Sequence, residues 1–180
     1  MTFRPVILAS MLALSGCSDP ATSDLDAAKA AAYIVFGLED GTPLAGSALG
    51  ENLPVFKQTS ASPLTFVAEN QTAKMSISVT KTDDCNYGFE VAAKDQTFKF
   101  SLDFSGLSTA SVTDNTDMGA PPHGTSLKGS KMTCDGPQSQ AICQTFKETE
   151  VWPLRFNEKD PSRLPAAVQT FKTNICKGKA

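Results

Sequence analysis

The chain of 180 residues lacks an N-terminal apolar run long enough to cross a bilayer. A membrane-spanning helix needs about 20 apolar residues, whereas the apolar segment here, residues 5–14, has about half that length. It follows a short segment that carries one basic side chain, Arg4. This arrangement excludes a spanning helix in that segment and predicts a targeting signal.

The sequence also lacks a Cys-x-x-Cys motif and contains a single histidine, His123. Zinc sites of the finger and ribbon types use closely spaced cysteine pairs, so we predict no metal site and no cofactor. His123 lies in GAPPHGTS, whose composition is typical of a turn. Because a general base needs an imidazole held by a second group against a nucleophile, we expect His123 to be a loop residue without a catalytic role.

Two serine patterns resemble hydrolase motifs but fail in detail. Ser78 and Lys81 match Ser-x-x-Lys, in which lysine activates the serine from one helical turn away. They fall in an alternating, strand-like segment, where residues three apart point to opposite faces. Ser126 lies in GTSLKG, where Lys128 replaces the final glycine of Gly-x-Ser-x-Gly. We therefore predict no catalytic residue and no enzymatic activity.

Acidic residues near the middle of the chain suggest a calcium loop at first sight. Asp114 and Asp117 have suitable spacing, but Thr116 and Met118 occupy positions that need further oxygen ligands. Thr125 also replaces the closing glutamate. We expect a solvated turn there.

Leu14-Ser15-Gly16-Cys17, directly after the apolar run, resembles the lipobox of bacterial lipoproteins. The resemblance implies cleavage between Gly16 and Cys17, a diacylglyceryl group on the sulfur of Cys17, and acylation of the new amino group. Ser18 follows in place of aspartate, which by resemblance to the enteric sorting rule implies the outer membrane. The resemblance extends over the first 17 residues, and no family is recognised for the rest of the chain.

The lipobox divides the chain into three predicted parts. Residues 1–16 are the signal peptide, residues 17–23 a lipidated tether, and residues 24–180 a single globular periplasmic domain. Removal of residues 1–16 from 180 leaves 164, enough for one domain with a sizeable core. Loss of Arg4 changes the net charge from −3 to −4, so we expect no nucleic-acid partner. Two or more acyl chains anchor a protein stably, so the membrane is the first expected partner.

The four other cysteines predict two disulfides, because exported proteins mature in an oxidising compartment. They are Cys85, Cys134, Cys143 and Cys176, and their even number fits a lipidated Cys17. We favour Cys134–Cys143, since CDGPQSQAIC contains turn-forming residues and closes a short loop, with Cys85–Cys176 as the second pair. The pairing Cys85–Cys134 with Cys143–Cys176 stays open.

Alternating apolar residues predict an antiparallel meander in the middle of the chain. Met75, Ile77 and Val79 alternate with polar residues, and a phenylalanine-rich stripe does the same over residues 98–104. We interpret that stripe as sheet core, and Trp152 as core or a strand end. The predicted strands cover residues 64–68, 75–79, 87–92, 98–104, 108–113, 126–134 and 142–151.

A helix is predicted near each end of the chain. Ser23 is typical of a helix start, and one face of the following segment is apolar: Leu25, Ala28, Ala32, Val35 and Phe36. Tyr33 and Ile34 fall outside that face, so the segment could instead finish as a strand. The second helix begins around residues 160–162, tolerates Pro165 in its first turn, and has an apolar stripe: Leu164, Val168, Phe171 and Ile175.

These observations predict an α+β lipoprotein with an antiparallel sheet, a helix near each end and two disulfides. We expect a nonenzymatic domain that binds an envelope protein while lipid on Cys17 holds it at the membrane. The alternative is a carrier of a small apolar ligand or an inhibitor of a cationic enzyme that attacks the envelope. A hydrolase is the remote third possibility.

Overall fold

A computed structural model describes residues 20–44, 53–71, 73–114, 123–157 and 162–177. The residues of the predicted signal peptide, Cys17, Ser18 and Asp117 of the expected solvated turn lie outside these ranges. The elements in chain order are α1 (Pro20–Phe36), β1 (Lys57–Ala61), β2 (Leu64–Glu69), β3 (Lys74–Lys81), β4 (Asn86–Ala93), β5 (Gln96–Asp103), β6 (Thr109–Asp114), β7 (His123–Lys128), β8 (Lys131–Asp135), a 3₁₀ turn (Pro137–Ser139), α2 (Gln140–Thr149), β9 (Val151–Arg155) and α3 (Arg163–Asn174).

The strands form two antiparallel sheets around α1. The larger sheet has the order β1-β2-β3-β4-β5-β8, and the smaller has the order β6-β7-β9. All pairings within them are antiparallel. Helix α1 contacts β2 and β3 of the larger sheet, β7 and β9 of the smaller sheet, and α3. The predicted α+β class with an antiparallel sheet and a helix near each end is confirmed; α2 is an additional helix.

Helix α1 begins at Pro20, three residues before the start predicted at Ser23. Residues 20–23 of the predicted tether are therefore helical. Proline is compatible with a first helical turn because the N–H groups of that turn have no partner within the helix. The side chains of Ser23 and Leu25 lie outside the described part of the structure.

The last six residues of α1 are buried. Residues 31–36 are all buried, including Tyr33 and Ile34, which the predicted apolar face left out. A helix that is apolar all round belongs in a core, and this one lies between two sheets. The alternative of a strand at this position is wrong. Phe36 contacts both layers: its ring centroid lies 5.8 Å from Phe89 of β4 and 5.4 Å from Trp152 of β9.

The predicted meander is confirmed as β3, β4 and β5 in continuous antiparallel register. Alternation sends Ile77, Phe89 and Phe100 to the same buried face. The phenylalanine stripe is therefore sheet core, as is Trp152, which is fully buried. The opposite face of the sheet carries mostly small or charged polar residues, so the larger sheet has one dry face and one wet face.

Two strand predictions are wrong. Residues 126–134 do not form one strand, because a turn at Gly129 divides them between β7 of the smaller sheet and β8 of the larger. Gly129 has φ +84°, a conformation that favours glycine. Residues 142–151 are mostly helical, in α2, where Cys143 and Phe146 are buried one turn apart. The strand that follows them, β9, was not predicted.

The two favoured disulfides are confirmed. Cys85–Cys176 links the β3–β4 turn to the segment just after α3 across 91 residues. Cys134–Cys143 links β8 to α2 across nine residues. An aromatic contact also joins α3 to β4, since the ring centroids of Phe171 and Tyr87 lie 5.7 Å apart. Helix α3 contains Pro165 in its first turn, as predicted.

Candidate functional site

The C-terminal end of α1 obtains most of its hydrogen bonds from distant parts of the chain, and the Tyr33 carbonyl also accepts one from the adjacent Gly37 N–H at 2.8 Å. The last four carbonyls of an α-helix have no partner in the helix itself, and here they belong to Tyr33, Ile34, Val35 and Phe36. Thr125 of β7 donates its hydroxyl to the Val35 carbonyl at 2.8 Å. The N–H of Phe156 donates to the Phe36 carbonyl, also at 2.8 Å. The smaller sheet therefore caps this helix end.

Arg155, the last residue of β9, supplies the rest of this cap. Its Nη1 donates to the carbonyls of Tyr33 and Ile34 at 3.3 and 3.2 Å. It also donates to the Thr125 hydroxyl at 3.2 Å. Arg155 is only 2% exposed, and no carboxylate among the described residues forms an ion pair with it. Its counter-charge is the negative end of the α1 dipole.

Burial lowers the pKa of the Arg155 guanidinium, and the Tyr33 side chain opposes this effect. Arginine nevertheless stays protonated in proteins, so the core contains a permanent cation. Its Nε has no hydrogen-bond partner among the described residues. Gly37 leaves the space that this guanidinium needs. A Cβ at this position would lie 3.2 Å from the Arg155 Cζ and 2.9 Å from the backbone carbonyl oxygen of Asn157. Gly37 also has φ +65°, which favours glycine.

Tyr33 joins the buried cap to the surface. The Arg155 Cζ lies 5.5 Å from the centroid of its ring, and the Arg163 Cζ of α3 lies 5.0 Å from it. Arg163 in turn forms a two-pronged ion pair with Glu39, with distances of 2.8 and 3.1 Å. Cations within about 6 Å of an aromatic face are attracted by its negative charge density. This chain of contacts links α1, α3 and the loop after α1.

A groove of about 520 Å³ opens beside Tyr33 between α1 and α3. We call it the α1–α3 groove; it is lined by Lys29, Ala30, Tyr33, Leu38, Glu39, Asp40, Gln58, Phe66, Arg163, Ala166, Ala167 and Thr170. The alanines of both helices are short, which leaves the space open. Its volume falls within the range of small-molecule sites, and its walls are apolar with charges at the rim. This arrangement suits an apolar body with a polar end.

The N-terminal end of α1 has a different chemistry. Lys81 of β3 forms ion pairs with Asp24 of α1 at 2.8 Å and with Asp84 at 2.9 Å. Hydrogen bonds to these carboxylates raise the pKa of Lys81. The Asp24 and Asp84 side chains are largely exposed, so water and salt screen both pairs.

The residues of the Ser-x-x-Lys pattern are not brought together. Ser78 exchanges a hydrogen bond with the Thr65 hydroxyl at 3.0 Å, while Lys81 is held by Asp24 and Asp84. Residues three apart in β3 point to opposite faces, as the sequence predicts. Ser126 is buried at 6% exposure and pairs with Val151 of β9 in register.

His123 lies at the first position of β7, so it is a strand residue and not the loop residue that we predicted. Its Nδ1 lies 3.1 Å from the Asp114 carboxylate across the β6–β7 pair. The Asp114 carboxylate therefore contacts the imidazole, and the sequence did not predict this contact between neighbouring strands. Among residues 20–177 that the structure describes, no group of three His, Cys, Asp or Glu side chains is placed to hold a metal ion.

Sequence reasoning missed Arg155, Tyr33 and the α1–α3 groove. Arg155 follows Val151-Trp152-Pro153-Leu154, and an arginine at the end of an apolar run is a weak signal for a buried cation. Tyr33 gave a clearer signal, because it interrupts the predicted apolar face of α1 with a residue that has a polar tip. The groove depends on two helices 130 positions apart, which no local pattern reports.

No family model, curated protein or solved structure matches the chain. Within the described residues, no helix combines the length and apolar character that a membrane span requires.

Proposed function

We propose that this protein is a bacterial envelope lipoprotein, anchored through lipid on Cys17, whose folded part binds an envelope partner without catalysing a reaction. One observation carries the proposal. The cysteines of the folded part pair as Cys85–Cys176 and Cys134–Cys143. Of the five cysteines in the chain, only Cys17 is left for another covalent bond, and it ends the lipobox-like sequence.

Two further features support this assignment. Disulfides persist mainly in oxidising compartments such as the periplasm. The protein also joins its proposed anchor to its core with little intervening chain, because α1 begins three residues after Cys17. A partner-binding role agrees with the α1–α3 groove and with the separate positions of Ser78 and Lys81. The outer membrane is the proposed location, from Ser18 after Cys17.

Intact-mass analysis of the protein purified from its host membranes tests the anchor. We expect a chain that starts at Cys17 and carries the mass of a diacylglyceryl group and an amide-linked acyl chain. Cys17→Ala should leave the leader in place, whereas Ser18→Ala, next to it, should process normally. An unmodified Cys17 in the wild type contradicts the proposal.

Cross-linking in the host followed by affinity purification tests the partner. We expect envelope proteins to be captured by the wild type and lost in Cys17→Ala, which keeps its leader, receives no lipid and so does not reach the outer membrane. Ser18→Ala is again the matched control. Equal capture by the wild type and by Cys17→Ala would contradict a partner that depends on anchoring. Catalytic turnover that is lost when His123 is substituted would contradict a nonenzymatic role.

The α1–α3 groove favours a second candidate, a carrier of a small apolar ligand. Ala167→Phe should fill the groove, whereas Ala141→Phe on the exposed face of α2 is a matched control. We expect the wild type and the control to bind the apolar fluorophore anilinonaphthalene sulfonate, and Ala167→Phe to lose this binding. Native mass spectrometry of the wild type should show added mass. No added mass and no fluorophore binding would remove the candidate.

A further inference from the structure

The start of α1 lies at one end of the larger sheet, which we call the anchor end. It is defined by the β1–β2 turn at Ser62-Pro63 and the β3–β4 turn at residues 82–85. Antiparallel register places these turns side by side, since Leu64 pairs with Val79. The Asp24–Lys81 contact of 2.8 Å shows that the start of α1 lies against this end. A depression of about 310 Å³ there is lined by both α1 and the β1–β2 turn.

The chain between Cys17 and the start of α1 is too short to reach elsewhere. An extended chain advances at most about 3.6 Å per residue, so the three steps from Cys17 to Pro20 span at most about 11 Å. The opposite end of the larger sheet is formed by the β4–β5 turn at Lys94-Asp95. Strand β4 has eight residues, which at about 3.3 Å per residue places that turn roughly 25 Å from the anchor end.

We infer that the anchor end is the surface that faces the phospholipid bilayer, with the β4–β5 turn directed away from it. This inference rests on the proposed lipid at Cys17. It also places the α1–α3 groove, because Tyr33 lies 13 positions after Pro20, or about 20 Å along the helix axis. Lys29 and Ala30, nearer the start of the helix, also line the groove, so the groove opens about 14–20 Å along α1 from the helix end that faces the bilayer.

Fluorescence quenching on vesicles tests this orientation. The full chain is expressed in a bacterial host, purified from membranes and reconstituted into phosphatidylethanolamine and phosphatidylglycerol vesicles that carry nitroxide-labelled headgroups. A fluorescent amino acid replaces Thr82 at the anchor end in one variant and Asp95 in the other; both are exposed turn residues. We expect loss of emission at position 82 and no loss at position 95.

The outcomes separate the two proposals. Intact mass of the same samples reports lipidation, so an unmodified Cys17 overturns both the proposed anchor and the inferred orientation. A lipidated sample with equal quenching at both positions, or stronger quenching at position 95, overturns the orientation alone. Circular dichroism checks that the variants fold, and Ala61 with Gln96 gives a second exposed pair at the same two ends.

Discussion

The two ends of α1 are held in opposite ways. At the C-terminal end, a buried cation, Arg155, and a buried hydroxyl, Thr125, bind the last carbonyls of the helix. At the N-terminal end, Lys81 pairs with the exposed carboxylates of Asp24 and Asp84 beside the Cys85–Cys176 disulfide.

The contact distance alone does not predict how much each of these contacts contributes to stability. The Lys81 pairs are shorter than the Arg155 hydrogen bonds, yet exposed ion pairs contribute only about 0–1 kcal/mol because water competes for both charges. A buried group that loses its partner instead costs about 1–3 kcal/mol, since no water replaces the bond. We therefore expect the structure around the N-terminal end of α1 to depend mainly on the Cys85–Cys176 disulfide. The structure around the C-terminal end should depend mainly on the buried hydrogen bonds of Arg155 and Thr125.

The largest effect should follow removal of the long disulfide. In the chain-entropy model, a loop of 91 residues stabilises the fold by about 4–5 kcal/mol and a loop of nine by about 2–3 kcal/mol. Urea unfolding of Cys85→Ser/Cys176→Ser should therefore show a greater loss than Cys134→Ser/Cys143→Ser. Equal losses would show that native-state contacts and not loop length set the effect.

Arg155→Met should come next, with a loss of about 2–3 kcal/mol in the free energy of unfolding. Methionine fills a similar volume but leaves the Ile34 carbonyl without its donor, whereas the Tyr33 carbonyl keeps the Gly37 N–H. Arg163→Met is the matched control, because Arg163 also contacts the Tyr33 ring but is half exposed. We expect the control to lose less than about 1 kcal/mol. Similar losses would contradict the special role of burial.

Thr125→Val should cost about 1–2 kcal/mol, because it leaves the buried Val35 carbonyl without its donor and removes an acceptor for Arg155. Thr113→Val is the control, since the Thr113 hydroxyl is buried without a partner among the described residues. That variant should be neutral or slightly more stable. Chemical denaturation measures both, and a larger loss in Thr113→Val would refute the capping assignment.

Alkaline pH should lower the free energy of unfolding through Tyr87 of β4. Burial raises the pKa of Tyr87 to about 12 from its ordinary value of 10.0. The folded state thus prefers neutral Tyr87, and this contribution is complete below pH 10 and is lost as the pH rises towards 12. Unfolding midpoints measured from pH 9 to 12 should fall less steeply for Tyr87→Phe than for the wild type. Midpoints that fall equally in both proteins would show that ionisation of Tyr87 does not cause the loss of stability at alkaline pH.

The smallest effect should come from Asp24→Asn, at about 0.5 kcal/mol or less. The substitution removes one of two carboxylates beside Lys81, and Asp84 still pairs with it. Added salt should reduce the difference between variant and wild type. A loss that exceeds the Arg155→Met loss in thermal or urea unfolding would reverse the comparison between the two helix ends.

Local patterns predicted those parts of the fold whose partners are close in sequence or alternate regularly. The β3–β5 meander followed from strict alternation, and Cys134–Cys143 followed from a short loop with turn residues. The same reasoning failed for residues 142–151. Its apolar residues have helical spacing, at Ile142, Cys143 and Phe146, and this spacing outweighs the β-branched residues nearby.

The candidate site was harder to predict because its contacts are long-range. The preference of Arg155 for a buried position depends on carbonyls more than 120 residues earlier. Backbone acceptors carry no sequence signature, so nothing near Arg155 distinguishes it from a surface arginine. The pairing of Arg163 with Glu39 is equally remote, at 124 positions.

The cap on α1 has a consequence for the order in which the protein acquires its structure. The α1 segment is synthesised long before β9, so for most of synthesis it lacks both Trp152 beside it and Arg155 at its end. A truncated chain that stops before residue 151 lacks one wall of its interior. The enclosure of α1 therefore depends on β9, a strand that lies more than 100 residues later in the chain.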